Sequence, residues 1–302
     1  MQRILGREPV LPASALDNLP DDALQQIFQH LSTEDRRTIS RTSRKWQRLV
    51  AGSWTVIEIR LGGTNYLDSA SKQMTWLSSL QLEHLACLRL HLKGFELSGI
   101  GVDYLLGPLL DMLEQGALPE LTTLQLAADM SLPGSLIHDG LQHLHLDMYA
   151  LTATIQCPRL QTLFVRTVSM PGPTFFSTEA LAVFQELKRL HLVFDASYLD
   201  APDTSWFILE GLGLLTELQH LVIDFPKGID IQLRKAPAFP ANFTHFELRC
   251  NTLIYMEVPA TMQILALKSC LMIERQQYQR WKHGPGPFVS CVDFMQPPLQ
   301  IK

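Results

Sequence analysis

Histidines that share one spacing are the residues of this chain best placed to do chemistry. His143 and His145 flank Leu144 in the run Leu141-Gln-His-Leu-His-Leu146. His191, His220 and His245 lie beside apolar residues in the similar runs Leu187-Lys-Arg-Leu-His-Leu192, Leu218-Gln-His-Leu-Val-Ile223 and Phe243-Thr-His-Phe-Glu-Leu248. In an extended strand the residues that alternate with the leucines point to the opposite face, so these imidazoles share one surface. Phe164, Arg189 and Thr162 fall at the same places in sister runs, and Arg166 two residues beyond Phe164 on the same face. Three readings compete for this surface. His220 and His245 on adjacent strands suggest a metal pair, yet a zinc centre needs three or four protein ligands and no third is identifiable, so no metal and no cofactor is expected. Solvated histidines are the simpler reading. A peptide-binding face built from His143, His145, Phe164, Arg166, Arg189, His191, His220 and His245 is the functional one, with Phe164 as its anchor and the peripheral loops as the competing location. Neighbouring strands would also pair Asp147 with Arg166, and Asp224 with Arg249, as exposed ion pairs.

Motifs for bond-making are missing. The chain has no phosphate-binding glycine loop, no HExxH, no nucleophile elbow and no CxxC pair. Gly99-x-Gly101 lacks the third glycine of a dinucleotide fingerprint, and Asn242-Phe-Thr244 matches a glycosylation sequon that an intracellular chain would leave unused. The five cysteines, odd in number and scattered, fit reduced and mostly buried thiols. An enzyme is therefore not expected.

Charge and hydropathy separate two parts. The chain of 302 residues carries a net charge of −5, which argues against a broad nucleic-acid surface. Residues 1–60 hold nine bases and seven acids, +2, against 16 and 23, −7, in the remainder. The longest stretch without a charged side chain, Thr167 to Thr178, is 12 residues and contains two prolines, below the roughly 18 of a membrane span. No membrane segment or signal peptide is expected, which places the protein in the cytoplasm or nucleus.

The element that must position the histidines is a repeat. The pattern L-x-x-L-x-L recurs eight times, starting at Leu85, Leu121, Leu141, Leu160, Leu187, Leu218, Phe243 and Met262. Trp54-Ile57-Ile59 is a degenerate copy at the front and Phe288 to Phe294 a weaker one at the end. Leucine occurs 52 times against 28 for valine and isoleucine together, a bias that disfavours a doubly wound sheet. Two apolar residues spaced by two in each short strand and one three positions earlier enter the same core, and no copy can bury its leucines alone. Leu248 followed by Asn251 and Leu267 followed by Cys270 extend the pattern. These features resemble leucine-rich repeat proteins across residues 55–295. The resemblance implies an α/β solenoid, irregular here, with a concave parallel sheet and helices or loops outside. Val102 to Glu114 and Ser177 to Leu187 read as such helices, the first kinked or restarted at Pro108, and Glu274 to Lys282 as a terminal capping helix.

Ahead of the repeats three helices fit in some 40 residues. Pro20 suits a first turn, Asp21 and Asp22 its positive end, and Leu24, Ile27, Phe28 and Leu31 form one apolar stripe. Ser32 with Asp35 caps a second helix, and Ser43 a third that carries Trp46 and Leu49. So small a module should lean on the repeats and on another protein. The order Leu16, Leu19-Pro20, Leu24, Ile27-Phe28, Leu31, Ile39, Trp46, Leu49, Trp54 resembles an F-box, over residues 14–54, between an N-terminal tail (1–13) and the repeats; residues 296–302 form a C-terminal tail. The resemblance implies that these residues, Leu16 to Leu49, bind a Skp-type adaptor and through it a cullin, while the repeats capture an unidentified protein substrate. It implies a non-catalytic receptor subunit of a Skp-cullin-F-box ubiquitin ligase; the alternative is a leucine-rich repeat scaffold that recruits no ligase. Six bases, Arg36, Arg37, Arg41, Arg44, Lys45 and Arg48, fall within 13 residues without an acid. They read as a face toward an acidic partner or as a solvated helix surface, with nucleic-acid binding a distant third.

Overall fold

The computed structural model describes residues 19–51, 53–61, 72, 75, 77, 82–93, 102–168, 178–195, 212–226, 230–231, 239–249, 252–253, 261–268, 271–272 and 288–292. Leu16, both tails, Asn251, Cys270 and the expected helix at 274–282 lie outside them.

Local signals start the first three helices, α1 (Asp21–Gln29), α2 (Thr33–Ser40) and α3 (Arg44–Ala51). Pro20 is the residue before α1 rather than part of its first turn; its carbonyl accepts the Leu24 N–H at 3.1 Å. The Ser32 hydroxyl oxygen accepts the Asp35 N–H at 3.2 Å, and that of Ser43 accepts the Trp46 N–H at 3.1 Å. These side chains satisfy N–H groups that a helix start leaves free.

Short strands follow: β1 (Val56–Leu61), β2 (Cys87–Leu92), helix α4 (Val102–Glu114), β3 (Thr123–Leu132), β4 (Ser135–Ile137), β5 (His143–Leu151), β6 (Thr154–Gln156) and β7 (Thr162–Thr167). Next come helix α5 (Thr178–Ala182), β8 (Arg189–Phe194), a single 3-10 turn at Leu212–Leu214, β9 (His220–Asp224), β10 (Asp230–Ile231), β11 (His245–Arg249), β12 (Thr252–Leu253), β13 (Ile264–Lys268), β14 (Leu271–Met272) and β15 (Phe288–Val292). Ten of these strands form one sheet in the order β1-β2-β3-β5-β7-β8-β9-β11-β13-β15. All nine pairings are parallel. The short strands make two lesser sheets, β4-β6 and β10-β12-β14.

The apolar spacing sets the register. Ile57, Leu88, Leu124 and Leu144 stand in one cross-strand row that continues to Leu265 and Val289, so the first degenerate copy and the described part of the last, Phe288–Val292, pair at the two ends of the sheet, while Phe294 lies outside the described residues. A slip of one residue would turn every one of these side chains to the wrong face. A backbone joint repeats with them. The Thr55 carbonyl accepts the N–H groups of Ala86 and Cys87 at 2.9 and 3.0 Å, and the same two-to-one arrangement recurs at Ala86, Thr122, Gln142, Gln161, Lys188, Gln219 and Thr244. Each strand is thereby started by its predecessor.

The helices and the sheet share a single apolar cluster that runs from Leu24 to Leu265. Trp54 at the entry to β1 is fully buried in it, as are Leu85, Leu121, Leu141 and Leu160, the leading residues of successive copies. The small helical module therefore does lean on the sheet.

Two helices differ from expectation. α4 runs continuously through Pro108, with no restart, because Leu106, Leu109, Leu110 and Leu113 are all buried and hold both halves. It closes at Gly116, whose φ of 67° lets the Ala117 N–H reach the Met112 carbonyl at 2.9 Å. α5 stops at Ala182 instead of reaching Leu187. Lys188 and Arg189 both donate to the Gln161 carbonyl to start β8, so the chain leaves the helix before them by successive turns (Phe184 N–H to Leu181 O, Leu187 N–H to Phe184 O), with Phe184 and Leu187 still buried.

Candidate functional site

Two surfaces carry the side chains singled out in the sequence. On the helical module the apolar stripe divides. Leu24 and Phe28, one turn apart, point into the chain's own core with Trp46 and Leu49; the Phe28 and Trp46 rings meet with centroids 5.9 Å apart. Ile27, rotated about 100° from Phe28 around the helix, is 40% exposed, and Pro20 is exposed beside half-buried Leu19, Leu31 and Ile39. The outward rim is thus Leu19, Pro20, Ile27, Leu31 and Ile39, and the other four support it from beneath.

The six-base run also divides, and here the expectation of one basic face is corrected. Arg36 turns inward: its guanidinium donates to the carbonyls of Gln29 (2.5 Å), Leu31 (3.0 Å) and Ser53 (3.4 Å) and lies 4.8 Å from the Trp54 ring centre. The end of α1 leaves carbonyls without helical partners, and this side chain takes them up while tying the module to the start of β1. Lys45 pairs with Asp21 at 3.1 Å. Arg41, Arg44 and Arg48 remain at the exposed surface. Nothing in a lone sequence distinguishes Arg36 from its neighbours; the signal would have been free carbonyls at the end of α1.

The second surface is the open face of the sheet. Parallel strands in register put equivalent side chains about 4.8 Å apart, which is also a stacking distance for rings. His145, Phe164 and His191 accordingly form a ladder with centroids 4.1 and 4.7 Å apart. His220 and His245 stack at 4.1 Å, nearly parallel. A stacked pair offers its faces, not convergent lone pairs, and among the described residues no group of three or more His, Cys, Asp or Glu could hold a metal ion. Burial holds His145 and His220 below the ordinary imidazole range, with His245 and Arg189 adding to the effect at His220. His138 is different in kind: it is buried, accepts the Gly140 N–H at Nδ1 (3.2 Å) and so donates from Nε2 to the Leu118 carbonyl at 2.9 Å. Burial pushes the Cys157 thiol up to about 12, which leaves it protonated and unreactive.

Ion pairs line the far end of the open face. Asp224 and Arg249 pair across β9 and β11 at 3.7 Å, as expected. Asp147 and Arg166 are register partners but do not pair with each other, a second correction. Lys93 reaches over the small Ala127 of the intervening strand to Asp147 at 2.5 Å, and Arg166 turns forward to Asp195 at 2.7 Å. Asp195 holds the Arg166 guanidinium still more firmly in its charged form. His143, Arg166 and Arg189 are the exposed members of the expected substrate residues; His145, Phe164, His191, His220 and His245 are half-buried.

These two faces define a chain with a helical interaction module fused to a parallel-sheet platform. Residues 16–55 match the family model of the F-box domain, so the module is an F-box. F-box domains typically bind Skp-type adaptors. No curated protein matches the chain as a whole.

Proposed function

We propose that this chain is the substrate-recognition subunit of a Skp-cullin-F-box ubiquitin ligase and that its sheet is a leucine-rich repeat receptor for a protein substrate. The observation that carries the reading is the matched F-box joined through one core to a ten-stranded parallel sheet whose apolar positions stand in cross-strand rows. Exposed Pro20 and Ile27 with half-buried Leu19, Leu31 and Ile39 support adaptor docking, since the larger apolar residues of the F-box are spent internally. The open face carries rings, imidazoles and guanidinium groups, the side chains that dominate protein recognition. The chain acts by proximity: it holds a substrate lysine near a charged conjugating enzyme and raises its effective concentration, with no bond-making residue of its own.

Co-purification with adaptor and cullin, followed by reconstituted ubiquitination of a co-purified substrate, tests this. Leu19→Ala with Pro20→Ala should abolish adaptor binding and leave the sheet folded, since Pro20 is exposed and Leu19 is only half-buried at the edge of the core. Full adaptor binding by that variant, or a chain that never retains cullin, would leave only a scaffold.

A further inference from the structure

Charge is sorted by row on the open face of the sheet. The residues nearest the strand starts form a first row from Val56 to Ile264 that contains no carboxylate. At its centre Arg189 is exposed between Thr162 and His220, its register partners on β7 and β9. Lys93, Arg166 and Arg249, in contrast, each have an aspartate, and those aspartates stand at or beyond the third row. Among the described residues no carboxylate pairs with Arg189. The second row has Glu58 on β1 and Glu247 on β11 with none on the strands between. Strands β5, β7, β8 and β9 thus present hydrogen-bond donors, one guanidinium without a carboxylate partner and an aromatic ladder, while Asp147, Asp195 and Asp224 are paired further along the strands.

We propose that this first row binds a short extended acidic segment of the partner protein, with a carboxylate on the Arg189 fork and an apolar side chain against Phe164. The inference rests on the receptor reading of the sheet and adds the chemical class of what it receives. Guanidinium takes a carboxylate bidentately, and the flanking Thr162 hydroxyl and His143 and His220 imidazoles can donate to neighbouring acids. From β5 to β11 the row crosses four strand gaps, about 19 Å, which an extended peptide covers with about six residues. Burial lowers the pKa of His145 and His220, which disfavours their charged forms and leaves Arg189 and hydrogen bonds as the chief means of recognising acid.

Fluorescence polarisation on the full chain tests it, with a labelled peptide Glu-Phe-Glu-Phe-Glu-Phe-Glu and its counterpart bearing Gln for every Glu. The acidic peptide should bind at least about tenfold more tightly than the Gln peptide, and added salt should weaken it. Arg189→Gln should lose about tenfold, Arg189→Lys should recover part of that, and Arg48→Gln on the helical module should change nothing. Equal affinity for the two peptides, no binding of the acidic one, or an undiminished Arg189→Gln variant would overturn the proposal. Adaptor affinity measured on the same preparations keeps the two questions apart: its absence beside intact peptide binding would remove the ligase reading and leave this one.

Discussion

The helical module and the sheet are stabilised by opposite strategies. In the sheet the copies starting at Leu85 through Phe243 repeat the same solution, a buried triad of apolar residues and one carbonyl that receives two N–H groups from the next copy. In the module almost nothing repeats. Two serine caps, one proline and one inward arginine each act once, and the module closes only because Trp54 and the start of β1 complete its core. A repeated solution tolerates the loss of regularity in any one copy, whereas a set of single devices fails at each of them. The difference also leaves different surfaces: the sheet presents ordered rows, the module an irregular apolar rim.

That contrast is most strongly tested inside the sheet. Leu144 is almost wholly buried in the middle of the ladder, and Leu144→Ala should cost about 2 to 5 kcal/mol because neighbours on both sides prevent the site from collapsing. Chemical denaturation reads this directly; a loss below about half a kcal/mol would mean the ladder is not the core. A smaller effect is expected in the module. Arg36→Leu removes hydrogen bonds to three carbonyls and the contact with Trp54, and should cost about 1 to 3 kcal/mol, whereas Arg48→Leu on the exposed face should cost almost nothing. Equal effects from the two arginines would erase the distinction drawn between them.

The smallest expected effect is a response to pH. Burial lowers the pKa of His145 and His220, so the unfolded chain binds protons first as pH falls. Their contribution to stability is full above the ordinary imidazole pKa and is lost as pH falls through the lower folded values. The melting temperature should drop modestly between about pH 7.5 and about pH 5.5, and His145→Gln with His220→Gln should flatten that part of the profile. An unchanged slope in the double variant would show that these imidazoles stay solvated.

Much of this was legible in the sequence, for physical reasons that can be named. Period-two leucines with a third apolar residue three positions earlier leave one register for ten strands, and the helix caps depend on nearest neighbours alone. Contacts that depend on side-chain reach were not legible. Arg166 and Asp147 share a register position, but a small Ala127 lets Lys93 cross a whole strand and take the aspartate. α5 is cut short because Lys188 and Arg189 must both donate to the Gln161 carbonyl of the preceding copy, a non-local joint that local propensity does not register. Arg36 reads like any other base in a run of six until the free carbonyls around it are placed.

The central claim is that one continuous core carries two independent faces, an adaptor rim and a receptor sheet. Calorimetric titration of a Skp-type adaptor into the full chain tests it most directly, comparing the unaltered protein with Ile27→Asp and Arg189→Gln. Ile27 is exposed, so the aspartate should leave the melting temperature in place while weakening adaptor binding by about thirtyfold or more, the loss of an interface anchor; Arg189→Gln should bind the adaptor as the unaltered chain does. Undiminished adaptor affinity in Ile27→Asp, or a loss in Arg189→Gln, would contradict the account.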